Sequence, residues 1–153
     1  DPNKTDDWGF IVERLRVEVN GKRVSNNRFT ITAKIVEDFS MLTPQERKNA
    51  PRVKFEKTTF NFGTAKPHSK VNHTFKFKNT GKRDLKIRKI RATCGCTAVE
   101  PSSSVIPPGE SSSFKAIFST GSRNGYQRKM IYFISNDPEN STLRLNIKGK
   151  VEK

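Results

Sequence analysis

The chain has 153 residues, 32% of them hydrophobic with Phe alone contributing eleven, and it sets 30 Lys and Arg against 15 Asp and Glu for a formal net charge of +15. That length suits one domain, or one domain with an appendage, and is enough to bury a substantial core. No apolar run is long enough to span a bilayer, and on charge alone the expected partners are polyanions: nucleic acid, phosphorylated glycolipid or acidic polysaccharide.

The first predicted element is a hairpin from Trp8 to Glu37, with apolar residues alternating on both sides of a turn. Shifted by 116 residues without a gap, Gly9 to Glu37 falls on Gly125 to Lys153. Gly9 then meets Gly125, Phe10 meets Tyr126, Leu15 meets Ile131, Val17 meets Phe133 and Asn20 meets Asn136. Farther on, Arg28 meets Arg144, Phe29 meets Leu145, Ile31 meets Ile147, Ala33 meets Gly149 and Ile35 meets Val151. Apolar positions coincide in phase over two strands and the turn between them, which duplication explains better than chance alternation. Residues 1–42 therefore read as the C-terminal hairpin of a preceding repeat, expected to pack on the main domain or on another chain. The start at Asp1-Pro2, without an initiator Met or a signal peptide, fits a trimmed piece of a longer protein.

Residues 43–51 read as a helical linker. Thr43-Pro44-Gln45-Glu46 has the form of a capping box, with a hydroxyl for the orphan N–H groups, Pro at the first helical position and Glu reaching back. Pro51 disfavours helix at Ala50, so a turn or two is expected from Pro44 to about Asn49.

From residue 52 to residue 153 the pattern has period 2. Phe60 and Phe62 alternate, as do Val71, His73, Phe75 and Phe77; Leu85 and Ile87 alternate, then Ile90, Ala92 and Cys94 resume one step out of phase, as a bulge near Arg88-Lys89 would produce. Phe114 to Phe118, Ile131 to Phe133 and Leu143 to Val151 follow, separated by Asn79-Thr80-Gly81, Pro107-Pro108-Gly109-Glu110, Gly121 to Gly125 and Asn136-Asp137-Pro138. About seven short strands predict an all-β fold, an immunoglobulin-like antiparallel β-sandwich over 52–153, without the Cys-Trp-Cys signature of antibody domains.

Five of these stretches carry a resemblance: Phe60-Asn61-Phe62-Gly63-Thr64, His73 to Gly81, Cys94-Gly95-Cys96-Thr97, Pro107-Pro108-Gly109-Glu110 and Ser135-Asn136-Asp137-Pro138. In this order they resemble the bacterial domain-of-unknown-function family 1573, over about residues 52–153. The resemblance implies an immunoglobulin-like domain akin to the ASH and major-sperm-protein domains. It also implies an exported, often lipid-anchored envelope protein, in the periplasm, outer membrane or cell surface, sometimes with the domain in tandem. It brings no established activity. One departure is Ala65-Lys66-Pro67-His68, where a Gly is expected after the first strand.

Cys94 and Cys96 are the only cysteines, so any thiol chemistry must lie there. On a regular strand both would continue the inward row of Ile90 and Ala92, as core thiols. Two strand residues separate their Cα atoms by roughly 6.5 Å with parallel Cβ vectors, so a disulfide between them needs a turn at Gly95 and would be strained and oxidising, the basis of a redox alternative. Two thiolates also suit Cu(I) or Zn(II), with His73 as a conceivable third ligand, but no second cysteine pair or short-interval His supports a metal centre. His73 shares phase with Val71 and Phe75 and reads as a half-buried strand residue; His68 reads as a solvated turn residue. No nucleophile elbow, phosphate loop, zinc-protease helix or carboxylate cluster is present, so no enzyme and no cofactor is expected.

Lys76, Lys78, Lys82, Arg83, Lys86, Arg88, Lys89 and Arg91 are opposed only by Asp84, so two adjoining strands are expected to present one cationic, anion-binding face, or simply a solvated exterior that blocks edge pairing. With few exposed aromatics to stack bases, a protein or envelope glycan partner is expected in preference to nucleic acid. The leading function is a non-enzymatic binding, adhesion or scaffold module; the alternatives are a thiol redox or Cu/Zn-binding domain and a weak polyanion binder.

Overall fold

Alternating apolar and polar residues give a strand one face for a core and one for water, and the computed structural model turns nearly every such stretch into β-structure. It describes residues 8–93, 96–99 and 101–153, and the chain divides between Glu37 and Asp38 into two units. The first unit is the hairpin β1 (Gly9–Val19) and β2 (Lys22–Ile35). Asn20 and Gly21 both take positive φ, 52° and 72°, as a two-residue turn between right-twisted strands requires.

The second unit opens with α1 (Pro44–Lys48), and its capping box forms. The Thr43 Oγ1 accepts from the Glu46 N–H at 3.2 Å, while Glu46 Oε2 accepts from the Thr43 N–H at 3.0 Å. These contacts hold the Glu46 carboxyl below its ordinary pKa, the Thr43 backbone bond first and the Thr43 hydroxyl second. Ala50 and Pro51 are buried, so the short helix runs directly into the sandwich.

Nine strands follow: β3 (Val53–Phe55), β4 (Thr59–Ala65), β5 (Lys70–Asn79), β6 (Leu85–Ala92), β7 (Cys96–Val99), β8 (Val105–Ile106), β9 (Ser111–Ser119), β10 (Gly125–Ser135) and β11 (Thr142–Val151). Six of them, β4, β5, β6, β9, β10 and β11, are the alternating stretches read from the sequence; β3, β7 and β8 are too short for alternation to register. They form one sheet in the order β4-β11-β10-β6-β8 and another in the order β3-β5-β9-β7. Pairing is antiparallel except between β11 and β4, where the two strands run parallel, a departure from a purely antiparallel expectation.

The sheets meet through aromatic rings. Phe133 of the larger sheet lies 5.1 Å from Phe55 and 5.1 Å from Phe77 of the smaller, both edge-on, and Phe75 stacks on Phe114 at 5.5 Å. Such pairs add to the area they bury, by about 0.5–1.5 kcal/mol each. Leu85, Ile131, Leu145, Ile147 and Val151, all fully buried, complete the interior. The expected bulge is present in β6: Ile134 pairs with Lys89 and Ser135 with Ile87, leaving Arg88 as the extra residue.

Candidate functional site

The turn motifs are structural hubs. Asn79 is fully buried; its Oδ1 accepts from the N–H of Arg52 at 3.3 Å and of Gly81 at 3.0 Å, and its Nδ2 donates to the carbonyls of Arg83 at 2.8 Å and Ile106 at 2.9 Å. Its own carbonyl accepts from the Gly109 N–H, so the Asn79-Thr80-Gly81 and Pro107-Pro108-Gly109-Glu110 turns are tied at one residue. A Cβ on Gly81 would collide with the Ala50 carbonyl, which is why the turn needs Gly there.

Asp137 is the second hub. Its carboxylate accepts from the N–H groups of Val53 at 3.0 Å, Glu139 at 2.9 Å and Asn140 at 3.2 Å, and pairs with Arg52 at 3.3 Å. Neighbouring Asn136 caps β6 from its edge, accepting from the Lys86 N–H at 2.7 Å. Among the described residues no buried side-chain nitrogen or oxygen lacks a hydrogen-bond partner, so the buried polar groups of these motifs are satisfied by the fold itself.

Cys96 does not continue the row of Ile90 and Ala92. The chain leaves the larger sheet after Ala92, and Cys96 opens β7 in the smaller sheet, opposite Phe118. Cys94 lies outside the described residues. Cys96 is a free, half-buried thiol packed against the core; burial raises its pKa, with Lys129 and Arg123 acting the other way. A raised pKa favours the thiol over the thiolate that would act as a nucleophile.

His73 is an aromatic packing residue. Its ring stacks on Phe60 at 4.0 Å and 6°, and meets Phe75 edge-on at 4.6 Å. Burial lowers its pKa, helped by the nearby Lys57 charge. Along the smaller sheet it stands opposite Ala116, which stands opposite Ala98, while Cys96 belongs to the next inward row with Phe118 and Val71. His73 and Cys96 thus sit two strands and one row apart, on the order of 10 Å, beyond shared ligation. No group of three His, Cys, Asp or Glu suited to a metal ion occurs among the described residues.

The expected single cationic face is corrected. Lys76 and Lys78 lie on β5 in the smaller sheet, whereas Lys86, Arg88, Lys89 and Arg91 lie on β6 in the larger, so the outward groups point to opposite sides of the sandwich. Consecutive strands adjoin in a hairpin, but the turn holding Lys82 and Arg83 carries the chain from one sheet to the other. Lys76 and Lys78 border an open groove of about 570 Å³ with Lys54, Thr80, Ser111 and Ser113.

Arg91 belongs to a different array. It stands opposite Tyr132 of β10, and Tyr132 stands opposite Arg144 of β11, giving an outward row Arg91–Tyr132–Arg144 across three strands. Arg128 opposite Lys148 lies farther along the same face, with Tyr126 exposed beyond it, and Arg128 Nε donates to Asn146 Oδ1 at 3.1 Å. None of the five strands contains Asp or Glu. Sequence reasoning missed Arg128, Tyr132, Arg144 and Lys148; their alternation with Ile131, Phe133, Leu145 and Ile147 was the available signal, but nothing local says that β6 lies beside β10.

With this geometry described, comparison with known proteins places the chain. The family model of DUF1573, described as a protein of unknown function, matches residues 53–151. The chain belongs to DUF1573. None of the curated proteins matches the sequence. A Porphyromonas gingivalis crystal structure of a protein of unknown function is similar at TM-score 0.71 and 18% identity, over 94% of this chain and 66% of that one, so this DUF1573 chain spans just under two thirds of it. A human ASH/PapD-like domain is similar at TM-score 0.52 and 13% identity, over 79% of this chain and 95% of its own. The secreted serine protease VesC of Vibrio cholerae is similar at TM-score 0.51 and 12% identity, over 70% of this chain and only 24% of the protease. At such identities these likenesses establish the β-sandwich of this DUF1573 chain and nothing about activity. No helix among the described residues is long and apolar enough to cross a membrane.

Proposed function

We propose that this domain is a non-enzymatic binding module of an exported bacterial envelope protein, and that the outer face of its larger sheet binds an anionic glycan. The observation that carries the reading is the cross-strand row Arg91–Tyr132–Arg144, extended by Arg128 and Lys148, on strands without a carboxylate. Guanidinium groups present paired donors to carboxylate, phosphate or sulfate groups, and a tyrosine ring between them offers a flat amphipathic surface to a sugar. The charges attract at long range but are screened within roughly 8 Å at physiological salt, so binding is weak and salt-sensitive. Export rests on the resemblance of the turn motifs to envelope proteins.

Heparin, as a sulfated and carboxylated glycan, is the probe. The combined substitution Arg91→Glu, Arg128→Glu and Arg144→Glu should abolish retention at physiological salt. Lys54→Glu, Lys76→Glu and Lys78→Glu, an equal change of net charge on the opposite sheet, should leave most of it. Tyr132→Ala should weaken retention without changing charge. Equal losses from the two triple substitutions would show that net charge alone acts, and tighter retention on duplex DNA than on heparin at matched salt would replace the glycan with nucleic acid.

A further inference from the structure

Hairpin β1–β2 repeats the backbone of β10–β11 over eight pairs, up to a bulge between Arg16 and Glu18 that β10–β11 lacks. Each pair from Gly9↔Ile35 to Arg16↔Arg28 becomes, on adding 116 to both numbers, a pair from Gly125↔Val151 to Tyr132↔Arg144. The entry is the same too: Gly9 has φ 80° and Gly125 φ 78°, a left-handed start that side chains other than hydrogen resist. Amphipathic alternation by itself requires neither a common register nor a common glycine. What differs is cover. Ile131, Leu145 and Ile147 are 0% exposed, whereas their counterparts Leu15, Phe29 and Ile31 are 51%, 59% and 53% exposed. In the sandwich, β10 has β6 on its free edge, β11 has β4, and the smaller sheet lies over both; a bare two-stranded hairpin is marginal in water.

We infer that the Leu15–Phe29–Ile31 face is an interface closed by a preceding copy of the same β-sandwich in the same polypeptide, whose strands equivalent to β3–β9 cover β1–β2 as β3–β9 cover β10–β11. The occupant follows from the repeat: a face with the register, glycine entry and apolar row of β10–β11 fits the kind of half-sandwich that β10–β11 fits. The order of strands fixes the source, since β10–β11 close a sandwich whose other strands all precede them. The likeness to the Porphyromonas gingivalis structure covers 94% of this chain and so extends beyond the second unit into the hairpin. The copy must differ at one point. Gly149 is where the Phe62 ring packs, leaving no space for a Cβ, and its counterpart is Ala33, so the covering strand needs a smaller residue than Phe at the position of Phe62.

Calorimetry of the 153-residue chain should show one transition, that of the sandwich, in a monomer, unchanged by Phe29→Asp. Placing residues 53–124 directly ahead of Gly9 supplies the covering strands and should add a second transition, which Phe29→Asp removes alone. A companion with Leu15→Ile, Phe29→Leu and Ala33→Gly matches the hairpin to β10–β11 and removes the Phe62 clash. If neither extended chain gains a transition, the inference fails. It fails equally if the 153-residue chain is a dimer that Phe29→Asp dissociates, since a second chain would then be the cover. Neither result bears on glycan binding, which uses the other face of the larger sheet.

Discussion

Two hairpins in this chain share a register and differ in almost everything that surrounds them. In β10–β11 the row Ile131, Leu145, Ile147 and Val151 is fully buried in the core between the two sheets; in β1–β2 the matching Leu15, Phe29 and Ile31 are about half exposed. Local sequence therefore determines pairing, through the side-chain period and the turn, while stability comes from the layer packed on top. The same apolar side chain contributes to the first hairpin only what one neighbour across the strand can offer.

The widest gap between the two should appear on truncation. Leu145→Ala should cost about 2–5 kcal/mol, a large-to-small change in a packed core, and Phe29→Ala should shift the sandwich by no more than about 0.5 kcal/mol, as surface changes do; chemical denaturation of both variants measures this. A smaller contrast lies at the paired positions Gly149 and Ala33. Gly149→Ala drives a methyl into the Phe62 ring and should cost about 1–3 kcal/mol, while Ala33→Gly should leave the sandwich midpoint in place.

Turn residues offer a finer comparison. Among the described residues, each unit holds one non-glycine in the left-handed region, Asn20 at φ 52° and His68 at φ 57°. Asn tolerates that conformation and His less so, hence His68→Gly should stabilise the sandwich by about 1 kcal/mol, seen as a raised midpoint, and Asn20→Gly should do less. The smallest effect is expected from pH. His73 has a pKa below its ordinary 6.5 because burial disfavours its charged form, so the unfolded chain takes up a proton first on acidification. The contribution is whole above pH 6.5 and is lost as pH falls from there through the folded pKa. The hairpin has no His, so this loss should belong to the sandwich transition alone and vanish in His73→Phe.

Much of the fold was legible because period 2 in Phe75–Phe77, Phe114–Phe118 and Leu143–Val151 can be satisfied only by strands with one dry face. The capping box and the bulge at Arg88 were legible for the same local reasons. Sheet membership was not. Whether the chain after Asn79 returns alongside β5 or crosses to the other layer depends on the anchoring of the turn at Asn79, and that choice separated Lys76 and Lys78 from Arg91. The crossover between Ala92 and Cys96 likewise moved the cysteine to the opposite sheet. Where a Gly was expected after the first strand, His68 adopts the left-handed conformation itself, with its N–H bonded to the Gly121 carbonyl at 2.7 Å, so the turn survives the substitution. The row Arg91–Tyr132–Arg144 joins residues far apart in sequence, and only the strand order brings them together.

Native-state hydrogen exchange of the 153-residue chain tests most directly the claim that the two hairpins share pairing and differ in cover. The slowest amides of β10–β11 should exchange only through global unfolding of the sandwich, and the slowest amides of β1–β2 through local opening, faster by on the order of 1,000-fold and insensitive to denaturant. Equal protection in the two hairpins, falling together as denaturant rises, would contradict it by showing that β1–β2 is already sealed.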